Sequence, residues 1–181
     1  MAKEWVDVVD TAVKIGFGSL ITGCFTYLGI KFAHKSDKKK FMLEHKVKLI
    51  EEISEQADAY FIAWISVVSK IAGITKTLQY DIEMVELTSS QIRSIKAKDN
   101  ILVEQWSSKE SIKSKLRLLN ANPAGIAFVD CSNLEGELRD ILFFQKKYPN
   151  YNEICAYKER VSSAQRKFHK AIAKTYEDLS A

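Results

Sequence analysis

The sequence predicts an all-α fold, in which one N-terminal transmembrane helix is followed by an antiparallel bundle of long, heptad-bearing helices. Three observations predict it. A run without charge extends from Ile15 to Ile30. Beyond residue 40, apolar side chains recur at alternating spacings of three and four, the signature of a helix with one buried face. The chain also has only two prolines and seven glycines. No stretch alternates with period two for long enough to demand a sheet, and Ile126 to Val129 is the one candidate for a short extended piece.

The first element is the span. Ile15 to Ile30 is bracketed by Lys14 and Lys31, whose aliphatic stems can reach out to the headgroups. Counted from Ala12 to Ala33, the segment extends about 33 Å as a helix, enough to cross a hydrocarbon layer of roughly 30 Å. A buried central helix of a soluble bundle would normally keep a polar stripe, and none is visible here. Ile21, Thr22, Gly23 and Cys24 resemble a lipobox. However, the leader would carry three acids against two lysines, and the apolar run continues past the cysteine.

Lys3, Glu4, Asp7 and Asp10 precede the span, whereas Lys31, His34, Lys35, Lys38, Lys39 and Lys40 follow it with only Asp37 opposing. Positive residues stay inside, so the expected topology has the N-terminus out and the body in the cytoplasm of a bacterial cell, at the inner membrane. Lys31, Lys35, Lys38, Lys39 and Lys40 are the expected membrane-surface residues. Within the span, Gly18, Thr22 and Thr26 form one stripe of small residues with Ser19 and Gly23 beside it, a pattern that lets helices approach closely. The domain organisation that follows is 1–36 as anchor with a short extracytoplasmic N-terminus and 37–181 as the cytoplasmic helical bundle.

The body begins with a long helix whose seam is Leu43, Ile50, Ile53, Ala57, Tyr60, Trp64, Val67, Ile71, Ile74 and Leu78, with Lys46 the polar intruder. From Tyr60 on, Phe61, Ile65 and Val68 widen the apolar face, and the period runs through Ile82 and Val85 despite Gly73. Thr88 or Ser89 caps the next helix, whose apolar positions are Ile92, Ile95, Leu102, Trp106, Ile112, Leu116 and Leu119. Asn120 to Gly125, containing Pro123, is its stop signal. Ser132-Asn-Leu-Glu135 has the form of a capping box and predicts a helix through Leu138 and Ile141 to Pro149. The last helix begins near Asn152 and keeps a heptad through Ile154, Tyr157, Val161, Ala164, Phe168 and Ala171, with the Trp64 helix as its expected partner.

Composition and motifs exclude more chemistry than they suggest. Outside the first 40 residues, 20 basic residues face 19 acidic ones, so the body lacks the basic stripe a nucleic-acid binder needs. Cys24, Cys131 and Cys155 are odd in number and widely spaced, suggesting neither a disulfide framework nor a zinc site. His34, His45 and His169 form no metal-binding spacing. Gly16 and Gly18 lie in the span and not in a phosphate loop, and Glu51, Glu52 and Glu55 intermix with Lys46 and Lys48 as solvated helix charges. No cofactor, metal, small-molecule substrate or enzymatic activity is expected.

The tract from Lys113 through Leu118-Leu119-Asn120 to Pro123 resembles a lysine-rich helix ending in a Leu-Leu-Asn-Pro element. That element is found in a broad group of uncharacterised bacterial proteins with one N-terminal membrane helix. The resemblance extends over residues 40–180 in element order, and it implies membrane attachment and a helical body without known enzymatic activity. Two functions are compatible with these features. One is a membrane-tethered interaction or scaffolding module that recruits another protein or a second copy. The other is an effector, in phage defence or as a toxin, that oligomerises through its span and perturbs the bilayer.

Overall fold

The computed structural model describes the backbone of residues 2–77 and 86–180, and the side chains of residues 26–27, 37–77 and 86–179. All regular structure among the described residues is helical. Five α-helices follow one another: α1 (Ala2–Lys76), α2 (Ser89–Glu104), α3 (Trp106–Leu118), α4 (Asn122–Arg139) and α5 (Tyr151–Ser180), with a π-helical turn, Asp140–Phe144, between the last two. The chain divides into two compact units, Met1–His45 and Lys46–Ala181.

The expected span and the first bundle helix are one uninterrupted helix, α1. Its buried face starts at Ile50 and continues through Ile53, Ala57, Tyr60, Trp64, Val67, Ile71 and Ile74. Leu43, expected to open the seam, is exposed at 40%. The described helix runs to Lys76, and the predicted continuation through Ile82 and Val85 lies outside the described residues. Threonines shape this end. The Thr75 hydroxyl donates to the Ile71 carbonyl at 3.0 Å and the Thr77 hydroxyl to the Ile74 carbonyl at 2.7 Å, both adding a second bond to carbonyls of the last turns.

Thr88 caps α2 through a complete capping box with Gln91, as its sequence predicts. The single helix expected from Ile92 to Leu119 is two, broken at Gln105. At the break the Gln105 N–H turns back to the Leu102 carbonyl at 3.0 Å, and α3 starts at Trp106 without a side-chain cap. On either side of the break, Leu102, Ile112 and Leu116 all reach the core. Trp106, expected in that core, is 41% exposed.

Helix α3 ends as its sequence predicts. Asn120 adopts a left-handed φ of 55°, its N–H donates to Arg117, and the Ala121 N–H donates to Leu116, which is the Schellman pattern. Pro123, however, starts the next helix as well as ending the last, since a proline in the first turn sacrifices no helical hydrogen bond. Ile126 to Val129 is therefore helical and not extended. Ser132 lies inside α4 and not at its start, so the predicted capping box there does not form. Helix α5 has the reciprocal cap instead. The Glu153 N–H donates to Asn150 Oδ1 at 3.0 Å, and the Asn150 N–H to Glu153 Oε2 at 2.8 Å.

Helices α4 and α5 run antiparallel, Phe128 meeting Phe168 near one end and the Tyr157 hydroxyl donating to the Leu134 carbonyl near the other. The buried face of α1 packs on both. Phe61 lies 5.6 Å from Phe168 between ring centres, Trp64 lies 6.3 Å from Tyr157, and Tyr60 lies 5.8 Å from Phe128. The expected pairing of the Trp64 helix with the last helix is thus present, with α4 as a third member. Such tilted and edge-to-face ring pairs each add about 0.5–1.5 kcal/mol beyond the area they bury.

Candidate functional site

The most unusual chemistry in the bundle surrounds Glu135, a carboxylate only 2% exposed in the C-terminal half of α4. The local sequence places it there: Cys131, Glu135 and Leu138 fall on the buried stripe of α4 at spacings of four and three. A buried carboxylate is tolerated only with donors around it. Tyr60 of α1 donates its hydroxyl to Oε2 at 3.0 Å, Lys109 of α3 reaches the same oxygen at 2.6 Å, and the Trp106 indole N–H of α3 donates to Oε1 at 3.3 Å. One turn along α4, Arg139 lies 4.0 Å from Oε1 and forms an ion pair with Asp99 of α2.

Ring faces complete the cluster. The Arg139 guanidinium sits 4.8 Å from the centre of the Trp106 ring, and the Lys109 ammonium lies 5.8 Å from the centres of both Tyr60 and Trp106. This accounts for the half-exposed Trp106, whose ring covers the two cations while its N–H serves the carboxylate. Two acids and two bases balance within the cluster. It joins α1, α2, α3 and α4.

The electrostatics are those of a closed structural network. Burial, reinforced by the neighbouring Glu135 charge, holds the Tyr60 hydroxyl far above the ordinary phenol range. Burial also pushes the Asp99 carboxyl above its ordinary range, and Arg139 draws it back only in part. Beside the network, the Cys131 thiol is pushed up to about 12 by burial and by Asp130. A thiol so far from ionisation is a poor nucleophile at neutral pH. The arrangement can fix the register of four helices, since removing one member strands a buried charge. Among the described residues, no group of three or more His, Cys, Asp or Glu side chains stands close enough to hold a metal ion.

None of these residues was singled out as a site by the sequence. The signals were faint but present. Asp99 stands between Ile95 and Leu102 on an otherwise apolar stripe, Trp106 and Lys109 are one turn apart, and Glu135 and Arg139 have the spacing of a helical ion pair. The residues that the sequence did single out lie elsewhere. Lys38, Lys39 and Lys40 are exposed on α1, as is Thr26. The side chains of Gly18, Ser19, Thr22, Gly23, Lys31 and Lys35 fall outside the described residues. Glu51 and Glu55 are exposed, and Glu52 pairs with Lys115 at 2.9 Å. His169 faces Asp58 at 3.7 Å near the surface.

One helix is long and apolar enough to cross a membrane. Among residues with described side chains, the qualifying stretch is Asp37–Lys76, and half of its most apolar window is buried inside the bundle. No family model matches the chain, and neither does any curated protein or solved structure compared with it.

Proposed function

We propose that the protein is a membrane-tethered helical module at the cytoplasmic face of the inner membrane, where it recruits a protein partner or a second copy of itself. The observation that carries this reading is the charge-free run Ile15–Ile30 bracketed by Lys14 and Lys31. In α1, that run is continuous with the helix that supplies Tyr60 and Trp64 to the bundle core. The apolar window inside Asp37–Lys76 has its partners in α4 and α5, which leaves Ala12–Ala33 as the segment suited to lipid. The lysines that follow it favour a cytoplasmic body. The small-residue stripe of Gly18, Thr22 and Thr26 supports pairing of copies within the bilayer.

The committed side chains around Glu135 suit a scaffold, whose output is a fixed surface. Tethering raises the local concentration of such a surface without any new contact. The test is induced expression of the full chain and of a chain beginning at Lys38, with growth, membrane potential and bound proteins recorded. A harmless full chain that retains a specific partner or self-associates supports the module. Loss of membrane potential that requires residues 1–37 would replace it with the bilayer-perturbing effector.

A further inference from the structure

A groove of about 1070 Å3 opens in the unit Lys46–Ala181, between the end of α4 and the first turns of α5. Its floor is apolar. Leu138 and Ile154 are buried beneath it, and Ile141 and Tyr157 form its sides. Its lip is cationic, formed by Lys146 and Lys147.

The π-helical turn builds this lip. The Gln145 N–H reaches back to the Asp140 carbonyl and the Lys147 N–H to the Ile141 carbonyl, both at 2.9 Å. The wide turn sends Leu142 into the core while Ile141 faces the groove. After Gln145, Lys146 takes a left-handed φ of 55° as the helix ends, as Asn120 does after α3, and the Lys147 bond to Ile141 sets both lysines at the lip.

Charge and shape then select the ligand. Arg160 at the far side is engaged by Glu137 at 2.8 Å, and Glu153 accepts the Asn150 N–H. Among the described residues, the side chains of Lys146, Lys147 and Glu86 make no hydrogen bond or ion pair, which leaves two free cations against one acid in the lining. The floor residues all lie in helices, whose backbone groups are already paired and offer no edge to an extended peptide. An acyl chain needs no such edge.

We infer that this groove binds a single-chain amphiphile with an anionic head group, its chain along Leu138, Ile141, Ile154 and Tyr157 and its carboxylate or phosphate against Lys146 and Lys147. The site is independent of the proposed tether, because it lies wholly within the bundle.

The test uses the full chain in phosphatidylcholine vesicles. Three diazirine probes are added separately: a palmitate analogue, a lysophosphatidate analogue and a neutral monoacylglycerol. Adducts are mapped by peptide mass after illumination. The inference expects adducts within residues 138–157 from at least one anionic probe, about tenfold above the neutral probe. Whichever anionic probe dominates identifies the head group. The double substitution K146E/K147E should reduce labelling to the neutral level, while K158E, outside the groove lining, should leave it unchanged. Circular dichroism checks that both variants keep their helix content, and K146Q/K147Q serves if the charge reversal unfolds. Equal labelling by the neutral probe, or labelling indifferent to the two lysines, overturns the inference. Adducts from a photoreactive Glu/Leu helical peptide with none from the amphiphiles would assign the groove to a protein partner instead.

Discussion

The two parts of α1 are both apolar, yet they solve different problems. Between Ile50 and Ile74 the apolar residues, Ile62 apart, gather on one face and meet rings from α4 and α5, while Glu51, Glu55 and Asp58 keep the other face wet. Between Ile15 and Ile30 there is no charged residue on any face. The comparison teaches that length and hydropathy do not separate a bundle core from a membrane span, since the Asp37–Lys76 stretch satisfies both measures while half of its apolar window is buried in protein. What separates them is the angular distribution of charge around the helix and the lysines at its ends.

The sharpest way to break this comparison is to damage one part and measure both. Trp64 is fully buried against Tyr60 and Tyr157. Trp64→Ala should destabilise the bundle by about 3–5 kcal/mol, a large share of the roughly 5–15 kcal/mol that holds a domain together. A thermal melt of the chain beginning at Lys38 reads this loss. The full-length variant should still pellet with membranes. Lys48→Ala, on the exposed face, should change stability by about 0.5 kcal/mol or less. Equal melting temperatures for the two variants would mean that the buried face is misassigned.

A smaller effect isolates the polar hub. Tyr60→Phe keeps the ring among Phe61, Trp64 and Phe128 and removes only the hydroxyl that serves Glu135. The cost should be about 1–3 kcal/mol, because Lys109 and Trp106 continue to serve the carboxylate. A melt that does not change would show that the hydroxyl's bond is dispensable and that Glu135 is held by α3 alone.

The smallest effect is visible only in alkali. The folded Cys131 thiol titrates near 12 against about 9 for an ordinary thiol. Its folded pKa is raised, so its contribution to stability is fully present below pH 9 and is lost as pH rises toward 12. Urea titrations from pH 8 to 11 should show a decline that flattens in Cys131→Ala, after allowance for that variant's lower starting stability. At pH 8, iodoacetamide should modify the half-buried Cys155 well before the buried Cys131. Prompt modification of Cys131 in the folded protein would contradict its placement in the core.

How much of this was legible depended on whether a local pattern had a local cause. The seam from Ile50 to Ile74, the Thr88 cap and the Asn120 stop were legible because helical periodicity, capping and left-handed asparagine act within a few residues. Ser132-Asn-Leu-Glu135 misled for the same reason. It has the form of a cap, but Glu135 is bound to Tyr60, 75 positions away, and to Lys109 in α3. The break at Gln105 was not legible, because Leu102 and Ile112 keep a ten-residue spacing that a continuous helix also buries, as Ile50 and Tyr60 do in α1. Trp106 looked like core because aromatics at helical spacing usually are, and only its neighbours Lys109 and Arg139 explain a ring left half in water. The groove lip was not legible, since no sequence rule marks a π-turn or a lysine at positive φ.

The measurement that tests the account most directly is alkaline carbonate extraction of membranes from cells expressing the full chain, beside the chain beginning at Lys38. The full chain should stay in the pellet, and the shortened chain, retaining the whole unit from Lys46 to Ala181, should be recovered in the supernatant. Release of the full chain by carbonate would contradict the central claim. Retention of the shortened chain would also contradict it, because the affinity for membrane would then reside in the bundle and not in residues 12–33.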